Sequence, residues 1–378
     1  MCIGKLKKKV LFFIESLGGG GAENVLSTMV KHIDTHKFEV MVCVITEGGR
    51  YDEDISSQVC LCSLLKNPNT YHGLGKLWYW LKYHLIYDWL PLKWVYKLFL
   101  PHDSDVEIAF VEGFATRLLA SSTNRKAKKI AWVHCDLKNQ PWTILRGVYG
   151  NLEEEISVYK RFHSVLCVSN IVENVMKEHY GLSNTVTIYN PIDEQSIKHL
   201  ASQKCEWNID GSNFNVVSVG RIEKVKGFDK LIPIVRDIRD AGIAIHLWIL
   251  GDGTEKNPLK TLVDELGLED NVTFTGFLSN PYSLMSKMDL FVCASRAEGF
   301  SLVIAEAMIL GMPVISMDCA GPRELITNTG TGVLCDSYEE MKSEIYRWAK
   351  SIKSRSDMRV VSFDITHVMS QIENVLLS

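Results

Sequence analysis

Two cations and two carboxylates in the second half of the chain have the types and spacing of a site for a phosphorylated ligand. Arg221 and Lys226 stand in "VGRIEKVKGFDKLI", residues 219–232, at the end of an apolar run and the opening of a helix. Two cations beside helix N–H groups could clamp a diphosphate. The plain structural alternative is a solvated basic turn. Glu298 and Glu306 stand in "EGFSLVIAEAMILGMPVIS", residues 298–316. Glu298 precedes a helix start, with Gly299, Phe300 and Ser301 expected in its first turn. Glu306 lies inside "LVIAEAMIL", where a carboxylate is costly unless it is hydrogen-bonded. A ribose or sugar diol is one suitable partner; a buried salt bridge or a cap is the other. A third feature is "SLGGGGAENV", residues 16–25, with four consecutive glycines between an apolar run and a helical pattern. Glycine lets backbone approach a ligand closely, and a helix N-terminus favours oxygen-rich anions. The run matches neither the phosphate-loop pattern nor the dinucleotide fingerprint, because no Gly-Lys-Ser/Thr follows and the third glycine is missing. A flexible surface turn is the alternative there.

The elements that would position these residues alternate strand and helix. Strands are expected at 9–14, 39–45, 106–111, 129–133 and 164–168. A second series follows at 214–219, 245–250, 272–274, 289–293, 313–316 and 332–334. Most are short apolar runs without strict alternation, as in strands buried on both faces. Helices are expected at 171–180, 227–241, 255–266, 302–310 and 338–352. Such alternation predicts parallel sheets with right-handed crossovers. The 378 residues exceed one ordinary domain, and two α/β domains are expected with a hinge in "YNPIDEQSI", 189–197. Ligands bind beyond the carboxyl ends of strands in such sheets, so two facing sheets imply a cleft between them.

Composition narrows the function. A net charge of −4 argues against nucleic acid as the main partner. The ten cysteines show no Cys-x-x-Cys pair; Cys43, Cys167 and Cys293 sit in apolar runs and read as buried free thiols of a reducing compartment. The basic N-terminus carries too short an apolar core for a signal peptide, and no uncharged run spans a bilayer, so a cytoplasmic protein is expected. Asp52-Glu53-Asp54 and Asp103-Ser104-Asp105 have the Asp-x-Asp form of some metal sites but read as solvated loops or caps.

In combination these motifs resemble the retaining glycosyltransferases of family 4, which includes bacterial transferases of surface polysaccharides. The resemblance is carried by Arg221…Lys226-Gly227, Glu298-x7-Glu306, "GGGGAE" at 18–23, "WVHCDL" at 132–137, "GDG" at 251–253 and "GPRELI" at 321–326. It spans nearly the whole chain. It implies two facing Rossmann-like domains of the GT-B type: an acceptor-binding domain at 1–192 and a nucleotide-sugar-binding domain at 193–378, its last helix packing back on the first. It implies a hexose or N-acetylhexosamine donor on a nucleotide, expected to be UDP, and a glycan or polyprenyl-linked acceptor. No cofactor and no metal are implied. Carried over, Arg221 and Lys226 hold the diphosphate, Glu298 the sugar hydroxyls and Glu306 the ribose. Gly220, Gly251, Gly299 and the N–H groups of Phe300, Ser301 and Leu302 line the donor, and Gly19, Gly20 and Gly21 let their loop approach donor and acceptor. Ser301 stands where relatives often carry Pro or Gly. His134 sits beside the transferred sugar, or is a core histidine behind Trp132. The rival activities are a nucleotide-sugar epimerase of the same architecture, a dehydrogenase and a non-catalytic sugar-binding protein.

The stretch 73–102 stands apart. Trp78, Trp80, Trp89, Trp94, Tyr79, Tyr83, Tyr87, Tyr96 and Phe99 interleave with Lys76, Lys82, Lys93 and Lys97. Two helices broken near Pro91 are expected, either lying in a membrane interface at the inner face of the membrane or packed as core.

Overall fold

The computed structural model describes residues 7–351 and 360–378. The start of the basic N-terminal stretch and position 352 of the last helix expected in the second series lie outside them. The chain divides into two compact units, Met1–Pro191 with Asp364–Ser378, and Ile192–Phe363.

The first unit holds seven parallel strands: β1 (Lys8–Ile14), β2 (Phe38–Thr46), β3 (Cys60–Leu65), β4 (Val106–Ala109), β5 (Lys128–Val133), β6 (Ser164–Cys167) and β7 (Thr185–Thr187). Their spatial order is β3-β2-β1-β4-β5-β6-β7. Val10 to Ile14 of β1 are fully buried, which explains a continuous apolar run rather than an alternating one. The second unit holds six: β8 (Phe214–Val219), β9 (Ile245–Leu250), β10 (Val272–Gly276), β11 (Leu290–Cys293), β12 (Val314–Met317) and β13 (Val333–Cys335), ordered β10-β9-β8-β11-β12-β13. Its core joins these strands to Phe228, Leu231, Ile232, Val235 and Ile238 of the helix Phe228–Asp240. Both orders are doubly wound. The direction of winding reverses between β1 and β4 in one sheet and between β8 and β11 in the other, and ligands of such sheets bind at that switch point.

The helix Ile365–Leu377 belongs to the first unit. Glu373 pairs with Lys37 at 2.9 Å, and Lys128 donates to Val375 O at 2.9 Å.

Three sequence expectations change. β3 and β7 have no counterpart in the expected strands: "CLCSLL" carries no β-branched or aromatic residue, and "TVT" is only three residues long. Cys43 is not a free thiol: it is disulfide-bonded to Cys62, its register partner on β3. Its partner was invisible while β3 went unread. Cys167 and Cys293 are free and buried as expected. Finally, Gly299–Ser301 are not helical. The helix runs Leu302–Ile309, with Ser301 as its N-cap.

Candidate functional site

The switch point of the second sheet gathers the residues singled out by spacing. β8 ends at Val219, and Gly220 and Arg221 follow it into a short turn, Lys224–Lys226. Gly227 then opens the helix Phe228–Asp240 with φ of +71°. A Cβ at Gly227 would lie 2.0 Å from Ala294 O, so only glycine lets this turn press against the end of β11. The contact brings the two strand ends together. Lys226 Nζ lies 2.5 Å from Glu298 Oε1, both side chains largely buried. Ser295 Oγ donates to the same carboxylate oxygen at 2.8 Å. Arg221 is more exposed, and its guanidinium is 3.6 Å from Glu223. Gly251 lies beside this turn, where a Cβ would meet Gly220 O.

The loop after Glu298 is held from the other side. Gly321 N donates to Glu298 O at 2.9 Å, and a Cβ on Gly321 would lie 2.5 Å from the Phe300 carbonyl carbon. The loop ends at Ser301, the only non-glycine with positive φ among the described residues, at φ 67° and ψ 73°. That conformation costs a non-glycine residue on the order of 1 kcal/mol and marks a site held by its surroundings. Ser301 O accepts from Ile304 and Ala305 at 3.2 and 3.4 Å, and no side chain caps the helix. The N–H groups at its start, with the positive end of its dipole, are available to an anion. One turn on, Glu306 is only 6% exposed. Burial pushes its carboxyl up to about 7, opposed by the hydroxyl of Tyr282, which donates to it at 3.0 Å. Lys226, Glu298, Ser301 and Glu306 thus share one switch point: a cation, a fixed carboxylate, an open helix start and a buried, half-neutral carboxyl.

In the first unit the glycine run follows β1. Only Gly19 of the four takes a positive φ, +110°, while Gly20 caps and Gly21 begins the helix Gly21–His32. Glu15, at the end of the same strand, accepts from Phe114 N at 3.2 Å across the switch point, and burial raises its pKa. His134 follows β5. Its ring lies 5.0 Å from that of Phe110 and stacks on Trp132. The backbone N–H groups of His134 and Cys135 both donate to the buried carboxylate of Glu112. Burial depresses the His134 pKa to about 4, so the ring is neutral at pH 7. Its Nε2 is buried without a hydrogen-bond partner. A wedge that is only packing would make His134→Ala unstable. The expected outcome is instead a folded variant that loses most activity, with a wild-type activity profile free of any histidine titration between pH 5 and 8. Circular dichroism and a pH–rate curve check both.

Sequence reasoning missed Ser295, Tyr282, Glu15 and Glu112. Ser295, three residues before Glu298, was readable as a local anchor. Tyr282 and Glu112 reach their partners across the fold and leave no local signal. The Asp-x-Asp strings are used locally. Asp54 pairs with Lys31 at 2.7 Å, Asp52 accepts from Gly48 N, and Asp103 pairs with Lys9. Asp105 accepts from Lys9 N at 2.8 Å, ahead of β4 and thus at the end of the sheet away from the switch point.

Known proteins resemble this chain in sequence and fold. The family described as Glycosyltransferase Family 4 matches residues 19–196, and that described as Glycosyl transferases group 1 matches residues 201–360. The lipopolysaccharide core biosynthesis glycosyltransferase LpsD of Rhizobium meliloti is 29% identical over 192 residues, 51% of this chain and 54% of LpsD. The chain thus spans about half the length of that relative. The N-acetylgalactosamine-N,N'-diacetylbacillosaminyl-diphospho-undecaprenol 4-alpha-N-acetylgalactosaminyltransferase of Campylobacter jejuni is 27% identical over 373 residues, 94% of this chain and 96% of that one. Among solved structures, Anabaena Alr3699/HepE in complex with UDP and glucose has the same fold, with a TM-score of 0.72 at 23% identity over 98% of this chain and 100% of that one. With one match on each sheet, the chain belongs to the family 4, group 1 glycosyltransferases.

Proposed function

We propose that the chain is a retaining, metal-independent glycosyltransferase. It moves a hexose or N-acetylhexosamine from a UDP-sugar to a glycan or polyprenyl-linked acceptor in surface polysaccharide synthesis. The observation that carries this reading is the Lys226–Glu298 pair at the switch point, one helix start away from buried Glu306. The names of the relatives, which act in lipopolysaccharide synthesis and on a diphospho-undecaprenol substrate, support the acceptor class.

Each group has a role set by its chemistry. Departure of the nucleoside diphosphate builds negative charge on phosphate oxygens. Lys226, Arg221 and the N–H groups at the start of the helix Leu302–Ile309 stabilise that charge, and Lys226 and Arg221 stand in for a metal. Preorganised donors of this kind lower the barrier by roughly 3–4 kcal/mol each. Glu298, anchored by Ser295, receives the sugar hydroxyls; in the free protein Lys226 occupies it. Glu306 receives the ribose diol, whose donors favour its ionised form. With no protein nucleophile assigned, the acceptor hydroxyl attacks from the face that the leaving group vacates, and the departing phosphate takes its proton. The family resemblance assigns the Gly19–Gly21 loop to close approach of donor and acceptor, and His134 to the transferred sugar. The direct test supplies UDP-sugars with a lipid extract and follows free UDP. Release that requires the extract supports transfer; conversion of a UDP-sugar to its epimer without acceptor overturns it.

The same reading places the enzyme at an anionic membrane surface. Segment 73–102 folds as the helix Leu74–His84, a π-turn Leu85–Trp89 and the helix Leu92–Phe99, capped at Pro91. Ile86, Val95 and Tyr96 anchor it, whereas Leu74, Trp78 and Leu98 are 81%, 71% and 60% exposed, and Leu77, Trp80, Trp89 and Trp94 also lie open. Lys76, Lys82, Lys93 and Lys97 are exposed among them, with Asp88 the one acidic residue of the segment. Exposed aromatics with lysines suit the headgroup boundary, and each lysine adds about 1 kcal/mol of attraction to anionic lipid. No helix among the described residues is long and apolar enough to cross a membrane. The protein is expected to sediment with anionic liposomes at low salt. Lys82, Lys93 and Lys97→Glu together should weaken that binding at least about a hundredfold. Wild type left in the supernatant at low salt would defeat the idea.

A further inference from the structure

We propose that the Ser301 hydroxyl is a direct donor to the ligand, hydrogen-bonding a phosphate oxygen of a nucleoside diphosphate at the start of the helix Leu302–Ile309. The inference rests on the donor-site reading above and adds a side-chain contact to it. Ser301 is 6% exposed, and its Oγ is buried without a hydrogen-bond partner. Among the described residues of Ile192–Phe363 it is the only buried side-chain nitrogen or oxygen so left. Other buried serines of this unit satisfy themselves: Ser295 donates to Glu298, Ser283 to Asn280 O and Ser316 to Met317 O. A buried hydroxyl without a partner is expensive, and in a native site it points to a missing ligand or water.

The position sharpens the argument. A serine N-cap ordinarily sits in extended backbone and bonds the N–H of the second or third helical residue. Ser301 is in the left-handed region and makes no such bond. Glycine would serve the backbone there at less strain. A serine therefore brings a hydroxyl that neither caps the helix nor serves the fold. Three residues earlier in the same loop, Glu298 holds Lys226. The ammonium and the helix N–H groups only donate, and the Ser301 hydroxyl can donate beside them, which suits an acceptor-only phosphate oxygen. The Ser301 O–H donates and a phosphate oxygen accepts.

Ser301→Ala removes the hydroxyl and keeps the strain; Ser301→Gly removes both. Calorimetric or NMR titration with UDP, and with uridine as the phosphate-free probe, separates the roles. UDP affinity should fall at least about tenfold in both variants, as for a lost hydrogen bond to a charged group, and uridine affinity should stay within twofold. The glycine variant should melt no lower than wild type. Unchanged UDP affinity in Ser301→Gly, or equal weakening of UDP and uridine, overturns the proposal. Wild type that binds no nucleoside diphosphate overturns the donor-site reading and this inference with it. Wild type that binds UDP no better than both variants do overturns this inference alone.

Discussion

Lys226→Ala should lower kcat by roughly a hundredfold to a thousandfold, with a much smaller rise in KM for the nucleotide-sugar. The reason lies in when its charge is used. In the free protein Lys226 is neutralised by Glu298 at 2.5 Å. On the proposed function, a bound donor engages that carboxylate with sugar hydroxyls and frees the ammonium for the phosphates. The attraction then peaks as the diphosphate leaves, so the loss falls on the barrier more than on binding. Arg221→Ala should act in the same direction. Lys226→Arg should not restore activity: the stem of Lys226 lies against Gly220, and a planar guanidinium fork cannot reproduce one compact ammonium there. Steady-state kinetics decides, and wild-type turnover in either alanine variant removes the clamp from the account.

Glu306→Ala and Glu298→Ala should fail differently. Glu306→Ala should weaken UDP binding about tenfold or more, because hydrogen bonds to a charged group are lost. Glu298→Ala should bind UDP almost normally and lose transfer, since the proposal assigns its carboxylate to the sugar and it holds Lys226 in register. Equal loss of UDP binding in both would contradict these roles. Glu306 also carries a pH signature. Its pKa is raised from an ordinary 4.5 to about 7 in the folded protein, chiefly by burial. A raised carboxyl contributes stability that is complete below about pH 4.5 and lost as pH rises through about 7. Glu306→Gln keeps the shape without the charge. It should therefore melt higher than wild type at pH 8, by at most about 3 kcal/mol, and match it near pH 4. Thermal melts at the two pH values read this directly, and a variant less stable than wild type at pH 8 would show that the ionised carboxylate is held by more than Tyr282.

The parts legible in the sequence were those written in contiguous residues. The buried strands β1, β8, β9 and β11 announce themselves as apolar runs, and Glu298-x7-Glu306 states its own spacing. The edge strand β3 does not, because "CLCSLL", though mostly apolar, has no β-branched or aromatic residue, and its disulfide to Cys43 went unseen with it. Glu306 could be read as a buried carboxyl but not as one bonded to Tyr282, 24 residues away in sequence. Ser301 was legible as a backbone N–H at the donor and as a departure from the usual Pro or Gly. That its hydroxyl is buried and unpartnered is a fact of packing. His134 needed the structure as well, since its neutral state comes from complete burial, with the rings of Phe110 and Trp132 packed against it.

The central claim is retaining, metal-independent transfer from a nucleotide-sugar bound at the switch point of the second sheet. Proton NMR of a reaction holding UDP-sugar, a polyprenyl-diphosphate-linked acceptor and EDTA tests it most directly. The account predicts UDP appearing in step with one new glycosidic linkage that keeps the donor's anomeric configuration. An inverted linkage, or reaction abolished by EDTA and restored by a divalent cation, would contradict it.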